Sequence, residues 1–306
     1  MRIGEMVGGY ESRMGIEDFL ARARDLEARG FDTMWIPHVF AHDAIGIATL
    51  LGRETERIEL GTAVVPTQPR HPASLAQQAL TAGAASDGRF TLGIGLSHPP
   101  VIERMHGLSY ARRASHMREY MAVLGPLLRG EAVGFEGEEF RVSMAVDVPD
   151  ARPVPVLIAA LGPRMLEIAG REAAGTILWM TGFRTIEEYI VPRIRAAAEA
   201  AGRPEPRVVA GMNVALVSDP EKAQARMGEW IGRYRMMPSY KAMIDREGSD
   251  KAADFAIVGD ERMLEAGLDR LERIGVTDLD ASIFDLEEGC RGRTLDFLAS
   301  RLERAR

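Results

Sequence analysis

The sequence contains one cysteine, Cys290, in 306 residues. A single cysteine cannot form an internal disulfide, which excludes a disulfide-stapled fold and favours a reducing compartment; we interpret this thiol as inert. The chain also has no apolar run near the roughly 20 residues that cross a bilayer, and its first residues lack the apolar core of a signal peptide. We therefore expect a cytoplasmic protein with no membrane partner.

Excess positive charge is lacking as well. The formal net charge is -7 at pH 7, which gives no electrostatic footprint for nucleic acid, so we expect a small-molecule substrate as the partner. With 46% hydrophobic and 27% charged residues, the composition is that of a soluble globular protein. His42 follows His38 by four residues, but no H-E-x-x-H motif accompanies them, and we predict no metal site.

What is present is a strand–helix–strand unit in residues 57–100. A short apolar run at 58–65, rich in β-branched residues, predicts a buried strand, and Pro66, Pro69 and Pro72 break it. A helix begins near Pro72 and ends at the turn 86–88. A second strand follows at 90–96. Two buried strands joined by a helix indicate a parallel sheet.

The same alternation runs through the whole chain. It predicts eight strands, each followed by a helix, without a change of composition that would mark a linker. Eight such repeats favour a closed (β/α)8 TIM barrel, in the α/β class, over a doubly wound open sheet. The doubly wound sheet is kept as an alternative. The predicted strands are 3–7, 33–37, 58–65, 90–96, 154–161, 175–180, 208–217 and 279–284.

Two stretches interrupt the alternation. Residues 99–150 contain two helical patterns, 100–106 and 111–128, and a hairpin at 132–142 that turns at Glu136-Gly137. Residues 219–256 form a helical segment, with a long helical stretch from 220 to about 246. We predict a single domain, 1–306, that carries both as insertion segments.

Ligands of a (β/α)8 barrel bind at the carboxyl ends of the strands. His38 and His98 each follow a predicted strand, and either imidazole could transfer a proton near neutral pH or be a hydrogen-bonded structural residue. Residues 159–164 lead from a strand into a helix, and the backbone N–H groups at such a helix start can bind phosphate. The small residues here are equally consistent with a tightly packed turn between strand and helix. Trp35 and Trp179 are either core residues or line the binding site of a planar ligand.

Four stretches then carry a family resemblance: RGFDTMWIPH, RIELGTAVVPTQPRHPASLAQQA, GRFTLGIGLSHPP and PVLIAALGPRMLEIAGREAAGTILWMTG. In this order they resemble the luciferase-like monooxygenase superfamily. More narrowly, they resemble its branch of coenzyme F420-dependent oxidoreductases, which includes methylenetetrahydromethanopterin reductase and F420-dependent glucose-6-phosphate dehydrogenase. The resemblance covers most of residues 2–182.

The resemblance implies a homodimeric (β/α)8 barrel that binds the deazaflavin ring at its mouth. It places a non-proline cis peptide at Ala63-Val64 and a catalytic histidine at His38, and it aligns His98 with a proton-accepting glutamate. The cofactor-binding residues predicted from the pattern and the resemblance share positions at or near strand ends. They are Trp35, Ala63, Val64, Val65, Thr67, Gly95, Ser97, Ala159, Ala160, Leu161, Gly162, Pro163, Met180 and Thr181.

The resulting hypothesis is an F420-dependent oxidoreductase that moves a hydride between the deazaflavin and a small C=C, C=N or C=O substrate. Two alternatives stay open: an FMN-dependent monooxygenase that uses O2, and a non-catalytic flavin-binding protein. Pro37 stands where the sugar-phosphate enzyme has an aspartate, and Phe183 and Arg184 stand near its substrate-binding lysine. These differences argue against glucose 6-phosphate as the substrate.

Overall fold

The computed structural model describes residues 1–9, 13–249 and 251–305. Residues 10–12, 250 and 306, which fall within the predicted domain and its 219–256 segment, lie outside the described residues. Within the described residues the strands are β1 (Arg2–Met6), β2 (Thr33–Ile36), β3 (Glu59–Thr62), β4 (Val65–Pro66), β5 (Phe90–Gly95), β6 (Val133–Glu136), β7 (Arg141–Met144), β8 (Val156–Ile158), β9 (Gly175–Trp179), β10 (Arg207–Leu216), β11 (Ala256–Gly259) and β12 (Asp278–Ile283).

The helices surround the sheet and alternate with its strands. In the described part of the chain they are α1 (Ile16–Ala28), α2 (Ala44–Glu54), α3 (Pro72–Ala85), α4 (Arg113–Leu128), α5 (Pro163–Glu172), α6 (Phe183–Thr185), α7 (Val191–Ala200), α8 (Pro220–Arg233), α9 (Pro238–Glu247), α10 (Glu261–Arg273) and α11 (Cys290–Ala305). Short π-helical segments occupy Pro100–Met105 and Ile186–Ile190, and 3₁₀ turns occupy Tyr234–Met236 and Ala252–Asp254. No helix of the described residues is both long and apolar enough to span a bilayer.

The strands close into a barrel. Parallel pairing runs through β1, β2, β3, β5, β8, β9, β10 and β12, and β12 pairs with β1 to complete the ring. The predicted (β/α)8 barrel is therefore confirmed, and the open sheet is excluded. Each predicted strand corresponds to one barrel strand, because buried parallel strands leave short apolar runs that are visible in the sequence.

Two local predictions were wrong, and one is refined. The strand at 58–65 is divided, since β3 ends at Thr62 and β4 begins at Val65. The helical stretch predicted at 220–246 is present and consists of two helices, α8 and α9, separated by a 3₁₀ turn. Strand β11 was not predicted at all; it is four residues long and pairs with the outer part of β10, where the short apolar run does not stand out from the helical pattern around it.

Charged side chains close the amino-terminal end of the barrel. Arg207 binds Glu59 over 3.0 Å and Asp278 over 2.5 Å, and Arg2 binds the other oxygen of Glu59 over 2.7 Å. Above them lies a layer with Trp35, which is 0% exposed, packed near Ala63, Val64 and Ala159. The candidate residues lie at the opposite, carboxyl-terminal end of the barrel, which we call the mouth.

Candidate active site

His38 lies directly beyond β2, which ends at Ile36 because Pro37 has no N–H for the ladder. Its side chain is 16% exposed. The ring atom Nδ1 faces the backbone N–H of Ala44 at 3.2 Å, and Nε2 faces Nη1 of Arg70 at 3.4 Å. The imidazole is thus fixed between the first turn of α2 and the loop that follows β4.

The surroundings of His38 favour its uncharged form. Burial lowers the pKa of His38, and the positive charge of Arg70 lowers it further, while Asp43 raises it and His106 lowers it. In this uncharged form, one ring nitrogen carries a lone pair that can accept a proton.

The floor of the mouth consists of small and aliphatic side chains. The peptide bond between Ala63 and Val64 is cis, as the resemblance implies, and both side chains are partly exposed. A Cβ atom on Gly95 would lie 2.7 Å from Val64 Cγ2 and 3.1 Å from Ala159 Cβ. The ends of β3, β5 and β8 therefore meet here, and small and aliphatic side chains line this part of the mouth.

Residues 159–164 form the side of the mouth next to this floor. Helix α5 begins at Pro163 with Gly162 as its N-cap, and no side chain caps it. A Cβ atom on Gly162 would have no neighbour within 4 Å. The first turn of α5 thus has no side-chain cap, the space beside Gly162 is open, and Arg164 in this turn is exposed. This geometry can bind a phosphate group.

Aromatic rings cover the opposite side of the mouth. His98 packs against Tyr240 with ring centroids 5.2 Å apart, Tyr240 contacts Tyr234 at 5.4 Å, and Tyr234 contacts Trp230 at 4.7 Å. Trp230 in turn contacts Phe284, beyond β12, at 4.9 Å. We call these five rings the aromatic bridge. It ties the α8–α9 segment to the ends of β5 and β12, and burial lowers the pKa of His98 within it.

Several predicted cofactor-binding residues do not reach the mouth. Trp35 is fully buried; its ring occupies the space where a Cβ atom on Gly61 would lie, 2.2 Å from Trp35 Cζ3. The indole of Trp35 therefore lies in the barrel core, and its role beside a ligand stays a prediction. At Gly95 the absence of a side chain makes room for Val64.

Other predicted residues have buried side chains. Thr67 is 0% exposed, and its hydroxyl lies 3.0 Å from Nε2 of His116, so its side chain is not part of the mouth surface. The side chains of Val65, Ala160, Met180 and Thr181 are also buried. By contrast Ser97, His98, Leu161, Gly162 and Pro163 are partly or fully exposed at the strand ends.

Sequence reasoning missed three charged residues near the mouth. Asp43 is the N-cap of α2 and accepts from Gly46 N over 2.8 Å. Arg70 bonds both Asp43 and His38. Glu247, at the end of α9, binds the first turn of the helix after β9. Asp43 could have been found from the sequence, because aspartate before a helix is a typical N-cap. Arg70 and Glu247 could not, because their partners are distant in the chain.

Together these features define a (β/α)8 barrel with a candidate ligand site at the carboxyl-terminal mouth, built from an apolar floor, an uncapped helix end and a histidine whose surroundings favour its uncharged form. Residues 1–278 match the family model described as luciferase-like monooxygenase. The chain belongs to this family.

Curated relatives and a solved structure agree with that assignment. The F420-dependent glucose-6-phosphate dehydrogenase of Kineococcus radiotolerans is 32% identical over 226 residues, which cover 69% of this chain and 66% of that enzyme. The 5,10-methylenetetrahydromethanopterin reductase of Methanolobus tindarius is 29% identical and covers 78% of this chain and 73% of its own length. The coenzyme F420-dependent tetrahydromethanopterin reductase of Methanopyrus kandleri shares the fold, with a TM-score of 0.84, 21% identity and 99% coverage of both chains.

Proposed function

We propose that this chain is an F420-dependent oxidoreductase that transfers a hydride between the deazaflavin and a small organic substrate. The observation that carries the proposal is the similarity over about two thirds of the chain to a dehydrogenase whose name states F420 dependence. The mouth supports it, since its floor is apolar and a helix end without a side-chain cap lies beside that floor.

The residues present fit such a cofactor. When bound, a deazaflavin supplies hydride chemistry. The partly exposed Ala63, Val64 and Ala159 would lie against the ring, and the N–H groups of the first turn of α5 would hold the phosphate of the tail. His38 would exchange the proton that accompanies the hydride, since its imidazole is uncharged and partly exposed.

The substrate is, in this proposal, a molecule without a phosphate group. The helix end after β9 would attract a phosphate, but the carboxylate of Glu247 already accepts from Arg184 N over 2.9 Å and from Thr185 N over 2.8 Å. The aromatic bridge beside it offers apolar and ring surfaces instead. An uncharged carbonyl, enone or imine compound suits this side of the mouth.

Spectroscopic titration of the purified protein with F420 and with FMN tests the cofactor. We expect saturable binding of F420 and reduction or oxidation of F420 with members of an alcohol, enone and imine panel. Binding of FMN alone, with oxygen consumption in the presence of reduced flavin, would instead establish the monooxygenase alternative. Cofactor binding without turnover across the panel would favour a non-catalytic flavin-binding protein.

A further inference from the structure

The ring of His38 is enclosed by hydrogen-bond donors on both nitrogens. Ala44 N–H faces Nδ1 at 3.2 Å, and the guanidinium of Arg70 faces Nε2 at 3.4 Å. A neutral imidazole has one lone pair, so it accepts from one of these donors; an imidazolium has none and accepts from neither. Adding a proton to the ring therefore removes a hydrogen bond and brings two positive groups together.

The carboxylate that would stabilise an imidazolium is already bound. Nη2 of Arg70 donates to Oδ2 of Asp43, whereas the distance from that oxygen to Nδ1 of His38 is 3.8 Å. The other oxygen of Asp43 accepts from Gly46 N and caps α2. Arg70 thus competes with His38 for Asp43.

Arg70 is itself held in place from a separate part of the chain. The hydroxyl of Tyr120, on α4, donates to the carbonyl of Arg70 over 3.0 Å, and Arg70 N–H donates to the carbonyl of Thr67 over 3.2 Å. Nε2 of His116 lies 3.0 Å from the Thr67 hydroxyl, and its Nδ1 lies 2.8 Å from Glu139. The loop between β4 and α3 is therefore anchored, and the guanidinium has a fixed position.

We propose that Arg70 is a positioning residue that keeps His38 uncharged by binding Asp43 and by facing the ring with a positive charge. The catalytic consequence rests on the proposed function of His38, but the charge relation does not. Among the described residues, the charged or titratable groups that act on His38 are Arg70, Asp43 and His106. Their effects agree with the geometry: Arg70 and His106 lower the pKa of His38 in addition to burial, and Asp43 raises it.

Histidine NMR titration of the cofactor-free protein tests this proposal. The variants are Arg70→Met, which keeps the stem length and removes the charge, Arg70→Lys, which keeps the charge, and Asp43→Asn, which removes the carboxylate and keeps an N-cap residue. We expect the pKa of His38 to rise in Arg70→Met, to stay near the wild-type value in Arg70→Lys, and to fall further in Asp43→Asn. A His38→Gln variant assigns the resonance.

Arg152→Met serves as the matched control, because Arg152 is exposed and pairs only with Asp87 in the described structure; it should leave the titration of His38 unchanged. An unchanged or lowered pKa in folded Arg70→Met overturns the proposal. If Arg70→Met does not fold, Asp43→Asn tests the proposal in its place. An unchanged or raised pKa of His38 in Asp43→Asn would also overturn the proposal. The titration needs no cofactor, so its outcome is independent of whether F420 binds.

Turnover gives a second measurement once a substrate is known. The limb of the pH–rate profile that belongs to His38 should move to higher pH in Arg70→Met and to lower pH in Asp43→Asn. A purely structural role of Arg70 would lower the rate at every pH and leave the limb in place.

Discussion

Thr185 donates both its backbone N–H and its hydroxyl to one carboxylate oxygen of Glu247, over 2.8 and 2.6 Å. Glu247 is 5% exposed and closes α9, whereas Thr185 lies in the first turn of the helix after β9. The carboxylate therefore acts as an N-terminal cap supplied from outside the helix, and it fastens the α8–α9 segment to the barrel.

Replacing Glu247 by alanine should release this segment. Three buried donors of Arg184 and Thr185 lose their partner, and hydrogen bonds to a charged group contribute about 1.5–3 kcal/mol each, so we expect a loss of about 3 kcal/mol or more in the free energy of unfolding. Hydrogen exchange should rise in residues 183–185 and 238–247. Glu188→Ala is the control, since Glu188 is 69% exposed and lies 4.0 Å from Arg184; equal exchange in both variants would contradict the role of Glu247.

Replacing His38 by alanine should abolish most turnover and leave cofactor affinity intact. Loss of a group that exchanges a proton lowers kcat by roughly 10²–10⁴-fold. His42→Ala is the matched control, because His42 lies four residues later and its ring faces the carbonyl of Met14. Steady-state kinetics and F420 titration on both variants check this. Full activity in His38→Ala would remove the histidine from the mechanism.

Gly162→Val should weaken cofactor binding without unfolding the protein. The free protein has space for the new side chain, since a Cβ atom there has no neighbour within 4 Å, but that side chain would occupy the phosphate position at the start of α5. Losing one hydrogen bond to a charged group, about 1.5–3 kcal/mol, lowers affinity roughly tenfold or more. Gly134→Val, at an open and exposed hairpin position, should keep wild-type affinity in the same titration.

Asp280→Asn should change how stability depends on pH. Both carboxyl oxygens of Asp280 are buried without a hydrogen-bond partner among the described residues, and burial, with the charge of Glu5, raises the pKa of Asp280 well above its usual value. Because the folded pKa exceeds the unfolded value of about 3.9, the native state binds more protons between them, and stability falls as pH rises through that window.

Asparagine mimics the protonated acid and removes this dependence. We expect the free energy of unfolding of Asp280→Asn, minus that of the wild type, to be larger at pH 8 than at pH 5. Chemical denaturation at both pH values measures this difference. Asp87→Asn is the control, at an exposed position paired with Arg152. Its difference in free energy of unfolding from the wild type should be nearly independent of pH. A constant difference in Asp280→Asn would mean that the carboxyl is ionised in the folded protein.

The sequence by itself determined the barrel and the position of its mouth. Apolar runs of strand length alternate with amphipathic helices, and these local patterns indicate roughly where each strand ends; His38 and Gly162 were located this way. The likeness to a family supplied the cis peptide at Ala63-Val64, which periodicity does not encode.

Tertiary structure alone decided which side chains face the mouth and what surrounds His38. For Trp35 the sequence was consistent with both the core and the wall of a ligand site, and only its neighbours, Gly4 and Gly61, show that the indole lies in the core. Arg70 and Glu247 act on partners 32 and 63 residues away. Contacts across such distances depend on how strands and helices pack, and the composition around each residue carries no record of its partner.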